Sequence, residues 1–272
     1  MTPTAPADLT GEQKTLLITL YGKAQESLLP DSLLHDHFAA EAVEKLDFDF
    51  SSLRLTRDAM IALANRSQIF DNWTAEFLAQ YPAATVVHLG CGLDCRLFRV
   101  RPPAESRWFA VDFPEVIALR RQVLGLVAGC TLVAGSLTEE HWLRQIPRDQ
   151  PTLVVAEGVL PYLPADEVFR LLRRLKHHFP GGEIVLDSYT RWGVRLLNAL
   201  PSMRAAGAAL QWSLNHPQDL ETQVSGLRLE TRITRYDPRQ VARLSWPLRP
   251  MLRLAETSGV LNRLVGLVRY RF

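Results

Sequence analysis

Cysteine is scarce in this sequence, and long apolar runs are absent. The three cysteines, Cys91, Cys95 and Cys130, form a low and odd count with no secretion signal ahead of them. This pattern argues against a disulfide-stapled extracellular protein and predicts a reducing, cytoplasmic setting. Cys91 and Cys95 have CxxxC spacing and no second pair nearby, so we expect no metal site. No run of about 18 apolar residues occurs, which predicts the absence of a membrane span.

A large excess of charge of either sign is also missing. The 31 basic residues nearly balance the 29 acidic ones, so nothing global indicates nucleic acid as a partner. Residues 228–272 are the exception, with ten arginines against three acids. That bias suits a solvated basic face, or contact with an anionic substrate or lipid surface. The stretch LSWPLRPMLRL (residues 244–254) has the composition of a membrane-docking or partner-docking segment, but its prolines predict that no continuous amphipathic helix forms there.

A helical pattern fills the N-terminal part of the chain, and a strand–helix alternation follows it. From Gly11 to about Phe77, apolar residues recur at steps of three and four, and Thr56 is placed to cap the clearest helix. The runs that read as buried strands are residues 85–91, 107–113, 130–136, 152–158 and 183–189. The helices expected between them cover residues 112–127, 137–146 and 164–179.

This alternation predicts an α/β fold with a mostly parallel, doubly wound sheet covered by helices on both faces. Two later strands are expected within residues 226–237 and 262–272. Without repeats or a low-complexity linker, one domain (residues 1–272) is the simplest division. Its parts are a helical extension (1–80), a cofactor-binding core (81–190), and lid helices with the C-terminal strands (190–272).

The turn after the first strand, in TVVHLGCGLDCR (residues 85–96), carries a Gly-x-Gly pair that lets the backbone approach a ligand. A dinucleotide site needs a third glycine where Cys95 stands, and a P-loop needs a Lys-Ser/Thr pair that is absent. Asp112 ends the second strand, 22 residues after Gly90, where a carboxylate can accept hydrogen bonds from ribose hydroxyls. The combination indicates a cofactor that contains a nucleoside but no phosphates. S-adenosylmethionine is the commonest cofactor of this kind.

Three blocks, VVHLGCGLDCR, FAVDFPEV and VVAEGVLPYL, resemble the S-adenosylmethionine-dependent methyltransferases of the leucine carboxyl methyltransferase family. The nearest branch is similar to the bacterial polyketide O-methyltransferases of the tetracenomycin type, and the resemblance covers roughly residues 55–190. It implies the class I methyltransferase fold, a seven-stranded sheet with six parallel strands and one antiparallel strand. It also implies that Gly90, Cys91 and Gly92 face the methionine part of the cofactor, while Asp94 and Arg96 fix the loop.

The same resemblance implies further cofactor contacts. Arg66 would bind the cofactor carboxylate, Asp112 the ribose hydroxyls, and Phe113 would pack near the adenine. Where the family has an Asp-Leu type of pair beside the adenine, this chain has Ser136 and Leu137. A serine hydroxyl can hydrogen-bond but lacks the charge of a carboxylate, so this departure predicts weaker recognition of the adenine amino group, with the Leu137 backbone as a compensating contact.

The candidates for the catalytic end are Glu157, Tyr162 and Tyr189. The resemblance places Glu157 near the ammonium and sulfonium of the cofactor, and an unpaired acid at the end of a buried strand would be costly. Tyr162 and Tyr189 are candidates to line the acceptor pocket, but the sequence singles out no general base. His88 reads as a core histidine, and His216 reads as an exposed loop residue rather than a base.

The function we expect is S-adenosylmethionine-dependent O-methylation of a hydroxyl or carboxyl group on a small, polyketide-like acceptor. Residues 11–55 and 190–222, with Trp192, Met203 and Trp212, have the composition of an apolar substrate lid, although they would equally suit packing on the sheet. Two alternatives are carboxyl methylation of a protein or peptide C-terminus, and a regulatory protein that binds the cofactor without catalysis. The sequence does not predict the oligomeric state.

Overall fold

Seven strands form one mixed sheet in the computed structural model, which describes residue 9 and residues 11–234, 237–257 and 264–272. The strands are β1 Thr85–Leu89, β2 Arg107–Asp112, β3 Cys130–Ala134, β4 Thr152–Ala156, β5 Gly182–Tyr189, β6 Arg228–Ile233 and β7 Val265–Arg271. Their order across the sheet is β3-β2-β1-β4-β5-β7-β6, and β7 runs antiparallel to both of its neighbours. The expected sheet, with six parallel strands and one antiparallel strand, is confirmed.

Helices cover the sheet and extend the chain at its N-terminal end. They are α1 Thr15–Ser27, α2 His37–Glu44, α3 Arg57–Gln80, α4 Arg96–Val100, α5 Pro114–Leu124, α6 Ala165–His178, α7 Arg191–Asn198, α8 Pro201–Ala206, α9 Asp219–Gln223, α10 Pro238–Val241 and α11 Leu248–Thr257. Thr56 caps α3 as expected, since its Oγ1 accepts a hydrogen bond from the Ala59 backbone N–H at 3.2 Å. No helix within the described ranges is long and apolar enough to cross a membrane.

The centre of the sheet fixes where a ligand can bind. All five residues of β1 and of β4 are buried, because helices cover both faces of these neighbouring parallel strands. The strand order reverses between β1 and β4, so the loops after their carboxyl ends diverge and leave a crevice. Residues that follow β1, β2, β4 and β5 therefore meet at one edge of the sheet.

Two expectations from the sequence are corrected here. Residues 137–146 form turns with a short 3-10 helix at Leu143–Gln145, rather than an α-helix. The apolar residues of this segment are buried without an α-helix, because Trp142, Leu143 and Ile146 insert into the core from a loop. In addition, β3 is an edge strand with exposed residues, so only part of its apolar run is covered.

The expectation that prolines interrupt any helix within residues 244–254 is corrected in part. Pro247 precedes α11, and Pro250 is the third residue of that helix. The backbone N–H groups of a first turn have no intrahelical partner, so a proline there removes no hydrogen bond. The helix therefore begins only after Pro247 and continues through Pro250, so the expected break is found at the first proline and not at the second.

Candidate active site

A cavity of about 570 Å³ opens at the carboxyl edge of the central strands. Its walls come from α1, from the first half of α3, from the loops after β1, β2, β3 and β4, and from α7 and α8. Its volume is within the range of small-molecule sites in proteins. Most of the residues predicted for the site lie on its wall: Arg66, Gly90, Cys91, Gly92, Asp112, Phe113, Ser136, Leu137, Glu157, Tyr162 and Tyr189.

The loop after β1 brings backbone close to the cavity. Gly90 and Gly92 have φ values of +56° and +45°, a region that side chains disfavour. A Cβ on Gly90 would also lie 2.5 Å from Cγ2 of Val159, so glycine is required there for space as well as for conformation. The Gly-x-Gly pair thus provides a surface without side chains at the bottom of the crevice.

Asp112, at the end of β2, is held by that loop. Its Oδ2 accepts a hydrogen bond from the Gly92 N–H at 2.7 Å, and its Oδ1 accepts one from the Phe113 N–H at 2.8 Å. Burial raises the pKa of Asp112 to about 6, although these two N–H groups act in the opposite direction. Each carboxylate oxygen can accept a further hydrogen bond, so the group is suited to binding two neighbouring hydroxyls.

The β3 end of the cavity is made by Ser136 and Leu137. The Ser136 hydroxyl lies 2.8 Å from the Thr138 Oγ1 and also accepts from the Thr138 N–H at 3.3 Å. The Leu137 carbonyl accepts a hydrogen bond from Arg174 at 3.1 Å. Both groups expected to face the adenine therefore have partners within the protein.

Glu157 follows β4 and is surrounded by three cations. Its carboxylate accepts hydrogen bonds from Arg66 Nε at 3.0 Å and from the fully buried Arg96, and Lys23 Nζ lies 3.5 Å away. Burial by itself would raise the pKa of Glu157, but Lys23, Arg66 and Arg96 outweigh it and hold the pKa well below its usual range. Glu157 is therefore a fixed negative charge and not a proton acceptor at neutral pH.

A second buried acid, Asp187 on β5, completes this side of the cavity. Its Oδ1 accepts from the Gly158 N–H at 2.9 Å, and its Oδ2 accepts from the Tyr189 hydroxyl at 2.9 Å and from Arg66 Nη1 at 3.2 Å. Burial, and then the Asp187 carboxylate, raise the pKa of Tyr189 above its ordinary value. Tyr189 consequently keeps its proton, and Arg66 joins two buried acids across the crevice.

Behind Glu157, further ion pairs tie the N-terminal helices to the sheet. Lys23 on α1 contacts Asp94 at 2.6 Å. Arg96 donates from Nε to Asp71 on α3 at 2.7 Å, and its backbone N–H donates to Asp94 at 2.6 Å, which closes the loop after β1. The sequence analysis missed Lys23, Asp71 and Asp187. Asp187 could have been found, because an acid inside a buried strand requires a partner.

His88 contacts Arg96 and is not a proton acceptor at neutral pH. Its Nε2 lies 3.3 Å from Nη1 of Arg96. Burial and this cation lower the pKa of His88 to about 3. Within the described ranges, no group of three or more His, Cys, Asp or Glu side chains is arranged to hold a metal ion.

The other end of the cavity is aliphatic. Tyr162 lies there, with its hydroxyl 3.9 Å from the Met203 sulfur, beside leucines of α7. Of the three lid residues expected from the sequence, only Met203 lines the cavity. Trp212 is 2% exposed in the core, whereas Trp192 is 67% exposed on the outside of α7.

Solved structures share this fold. A DUF574-family protein from Streptomyces avermitilis has a TM-score of 0.64 at 11% identity, with 94% of this chain and 96% of that chain covered. A methyltransferase from Mesorhizobium loti has a TM-score of 0.50 at 20% identity, with 69% and 90% covered. At these identities the likeness shows the fold alone, which is the class I methyltransferase fold.

Sequence comparison identifies the family. The family model described as leucine carboxyl methyltransferase matches residues 17–176. The tetracenomycin polyketide synthesis O-methyltransferase TcmP of Streptomyces glaucescens is 38% identical over 229 residues, 84% of this chain and 85% of that protein. The S-adenosyl-L-methionine-dependent methyltransferase dpfgK of Gibberella zeae is 33% identical over 286 residues, 97% and 96% of the two chains. This chain belongs to the leucine carboxyl methyltransferase family and uses S-adenosylmethionine.

The residues of the cavity fit this cofactor. Gly90 and Gly92 leave room for its approach, and Asp112 has acceptors for a pair of ribose hydroxyls. Glu157 stays ionised at the same edge of the sheet, but its carboxylate is already paired with Lys23, Arg66 and Arg96.

Proposed function

We propose that this methyltransferase transfers the methyl group to an oxygen atom of a small, polyketide-like acceptor. The observation that carries the proposal is the continuity of the cavity, which joins Asp112 and Glu157 at one end to the aliphatic surface of α7 and α8 at the other. The similarity to TcmP, whose name describes an O-methyltransferase of polyketide synthesis, supports the acceptor class.

Bound S-adenosylmethionine supplies a methyl group that its sulfonium already activates. The protein then has to orient the two reactants and exclude water. In this proposal Asp112 fixes the nucleoside, the Gly90–Gly92 backbone lies against the methionine part, and Arg66 bridges Glu157 and Asp187 beside it. Tyr162 and the leucines of α7 hold the acceptor, with its oxygen aligned toward the methyl group.

The protonation states favour an acceptor that arrives already ionised. Glu157 has a pKa far below neutrality, His88 has a pKa of about 3 and Tyr189 keeps its proton, so none of these three takes a proton from an alcohol at neutral pH. A carboxylate needs no base, and an acidic phenol needs little help. We therefore infer that a carboxyl group or an acidic phenol is methylated, rather than an aliphatic alcohol.

Transfer of a labelled methyl group tests the proposal. The protein is incubated with labelled S-adenosylmethionine and a set of aromatic carboxylic acids, phenols and peptides with a free C-terminus. We expect label in base-labile methyl esters or in methyl ethers of the small acceptors. Label in the peptide alone would replace the proposal by protein carboxyl methylation. S-adenosylhomocysteine stabilisation without any transfer, across the whole acceptor set, would favour the non-catalytic alternative.

A further inference from the structure

The mouth of the cavity is flanked by two cationic and apolar segments, which we call the lip segments: residues 190–207 and residues 238–254. Together they contain seven arginines and no aspartate or glutamate, and one of these arginines, Arg243, is paired with Glu26 and Asp31. The formal net charge of the whole chain is only +2, so the remainder of the protein is net acidic. Positive charge is therefore concentrated in 35 of the 272 residues.

The same segments expose apolar side chains. Among the described residues, ten large apolar side chains are exposed, and six of them lie in the lip segments. Those six are Trp192, Leu196, Leu200, Trp246, Met251 and Leu254, with exposed fractions of 67%, 57%, 40%, 76%, 64% and 70%. A concentration of this kind on a protein surface indicates a contact surface.

The first segment lines the cavity, and the second lies next to its wall. Leu196 and Leu200 are exposed to solvent and also line the cavity wall, so α7 stands at its mouth. The second segment does not line the wall itself but lies beside it, against Asp58, whose neighbour Ala59 lines the cavity. It is anchored to the start of α3 by Ser245, whose N–H and hydroxyl donate to Asp58 at 2.7 and 2.8 Å.

We propose that the lip segments dock on an anionic lipid surface and bring the mouth of the cavity to the bilayer. Arginines with exposed tryptophan, leucine and methionine on a short amphipathic helix are the composition that binds in the interface of anionic membranes. A symmetric contact with a second copy would place the arginines of the lip segments against one another, which like-charge repulsion disfavours. An apolar acceptor would then pass from the lipid into the aliphatic end of the cavity without crossing water.

A second basic surface provides the discriminating control. Arg144, Arg148 and Arg173 lie around a groove beside α6, together with His177, and none of the exposed large apolar side chains is there. If the protein bound lipid through positive charge alone, this groove would serve as well as the lip segments. The apolar side chains of the lip segments make the two surfaces experimentally distinguishable.

The experiment is flotation of the full chain with vesicles of phosphatidylcholine, with and without phosphatidylglycerol. We expect flotation only with phosphatidylglycerol, weakened by salt. The pair Trp246→Ser and Met251→Ser should lower the partition coefficient on the order of tenfold or more, and Arg239→Gln about fivefold. These three residues do not line the cavity, so the stabilisation by S-adenosylhomocysteine serves as the folding control.

The matched controls are Leu126→Ser, at an equally exposed leucine outside the lip segments, and the pair Arg144→Gln and Arg148→Gln. Both should float like the unmodified chain. Absence of flotation, or its loss in the arginine pair but not in the Trp246 and Met251 pair, would overturn the proposal. The proposal would also be overturned if the protein bound soluble polyglutamate as well as it binds the vesicles and the apolar substitutions left this binding unchanged. That result would indicate an acidic protein partner instead of a lipid surface. None of these outcomes depends on methyl transfer, so the proposed function is tested separately.

Discussion

Binding of the cofactor should depend on pH through Asp112. Its pKa is raised to about 6 in the free protein, mainly by burial. Arg120, whose guanidinium donates to the Gly92 carbonyl, lowers this pKa, and Glu115 raises it. Because ribose hydroxyls donate to the ionised carboxylate, the bound state favours loss of the proton, and affinity rises with pH until Asp112 is fully ionised.

The magnitude follows from the fraction ionised. With a pKa of about 6, roughly one molecule in ten carries the carboxylate at about pH 5, so the affinity for S-adenosylhomocysteine should fall about tenfold from its plateau above pH 7. Asp112→Asn removes the titration and the charge. Losing two charge-assisted hydrogen bonds, partly replaced by an amide oxygen, should weaken binding by about 2–4 kcal/mol, on the order of 30- to 1,000-fold.

Isothermal titration calorimetry with S-adenosylhomocysteine between about pH 5 and pH 8 measures both effects. Asp149→Asn is the matched control, because Asp149 is an exposed aspartate outside the cavity, paired with Arg107 at 2.6 Å. The control should keep the wild-type profile, and Asp112→Asn should give a flat one. A flat profile in the unmodified protein, or a sloping one in Asp112→Asn, would refute the assignment of Asp112 to the ribose.

Three further substitutions probe the site. Glu157→Gln removes the negative charge that Arg96, Arg66 and Lys23 share, although Arg96 keeps its contact with Asp71. The free energy of unfolding should fall by about 3–5 kcal/mol in urea, and a loss below about 1 kcal/mol would contradict the ion-pair account. Gly90→Ala combines a positive φ with a collision and should cost about 2–5 kcal/mol. Gly207→Ala, at a left-handed φ of +66° but in open space, should cost about 1–2 kcal/mol, so equal losses would refute the steric argument. Tyr189→Phe should cost about 1 kcal/mol of stability and leave the pH dependence of kcat unchanged; a vanished limb of the pH profile would identify Tyr189 as the base.

The strands were predictable because burial on both faces of the sheet requires apolar residues, and a run of apolar residues is visible in the sequence. Residues 85–89 and 152–156 are mostly apolar, and the sheet buries them on both faces. Residues 137–146 have a similar local pattern, but their apolar side chains enter the core from turns, which Ser136 supports by accepting hydrogen bonds from the Thr138 and Glu139 backbone N–H groups. The spacing of apolar residues indicates which side chains are buried. It does not indicate whether a helix or a series of turns brings those side chains into the core.

The individual residues of the cavity wall were more predictable than the hydrogen bonds and ion pairs that they form. Gly90, Asp112 and Glu157 stand at strand ends, where the chemistry of a ligand site is expected. The partners of Glu157 come from far along the chain, since Arg66 is 91 residues away and Arg96 is 61 residues away. Such pairs depend on how α3 and α4 pack against the sheet, and no local pattern encodes that packing.

The two ends of the cavity differ in how freely they can change over evolutionary time. At the cofactor end, Glu157, Arg66 and Asp187 share hydrogen bonds, so replacing any one of them leaves a buried charge uncompensated. At the acceptor end, the leucines of α7 and Met203 can be exchanged for other apolar side chains with changes of shape only. Under the proposed function, new acceptor specificities can therefore arise on this scaffold by substitutions in α7 and α8, without a change at the end of the cavity proposed to hold the methyl donor.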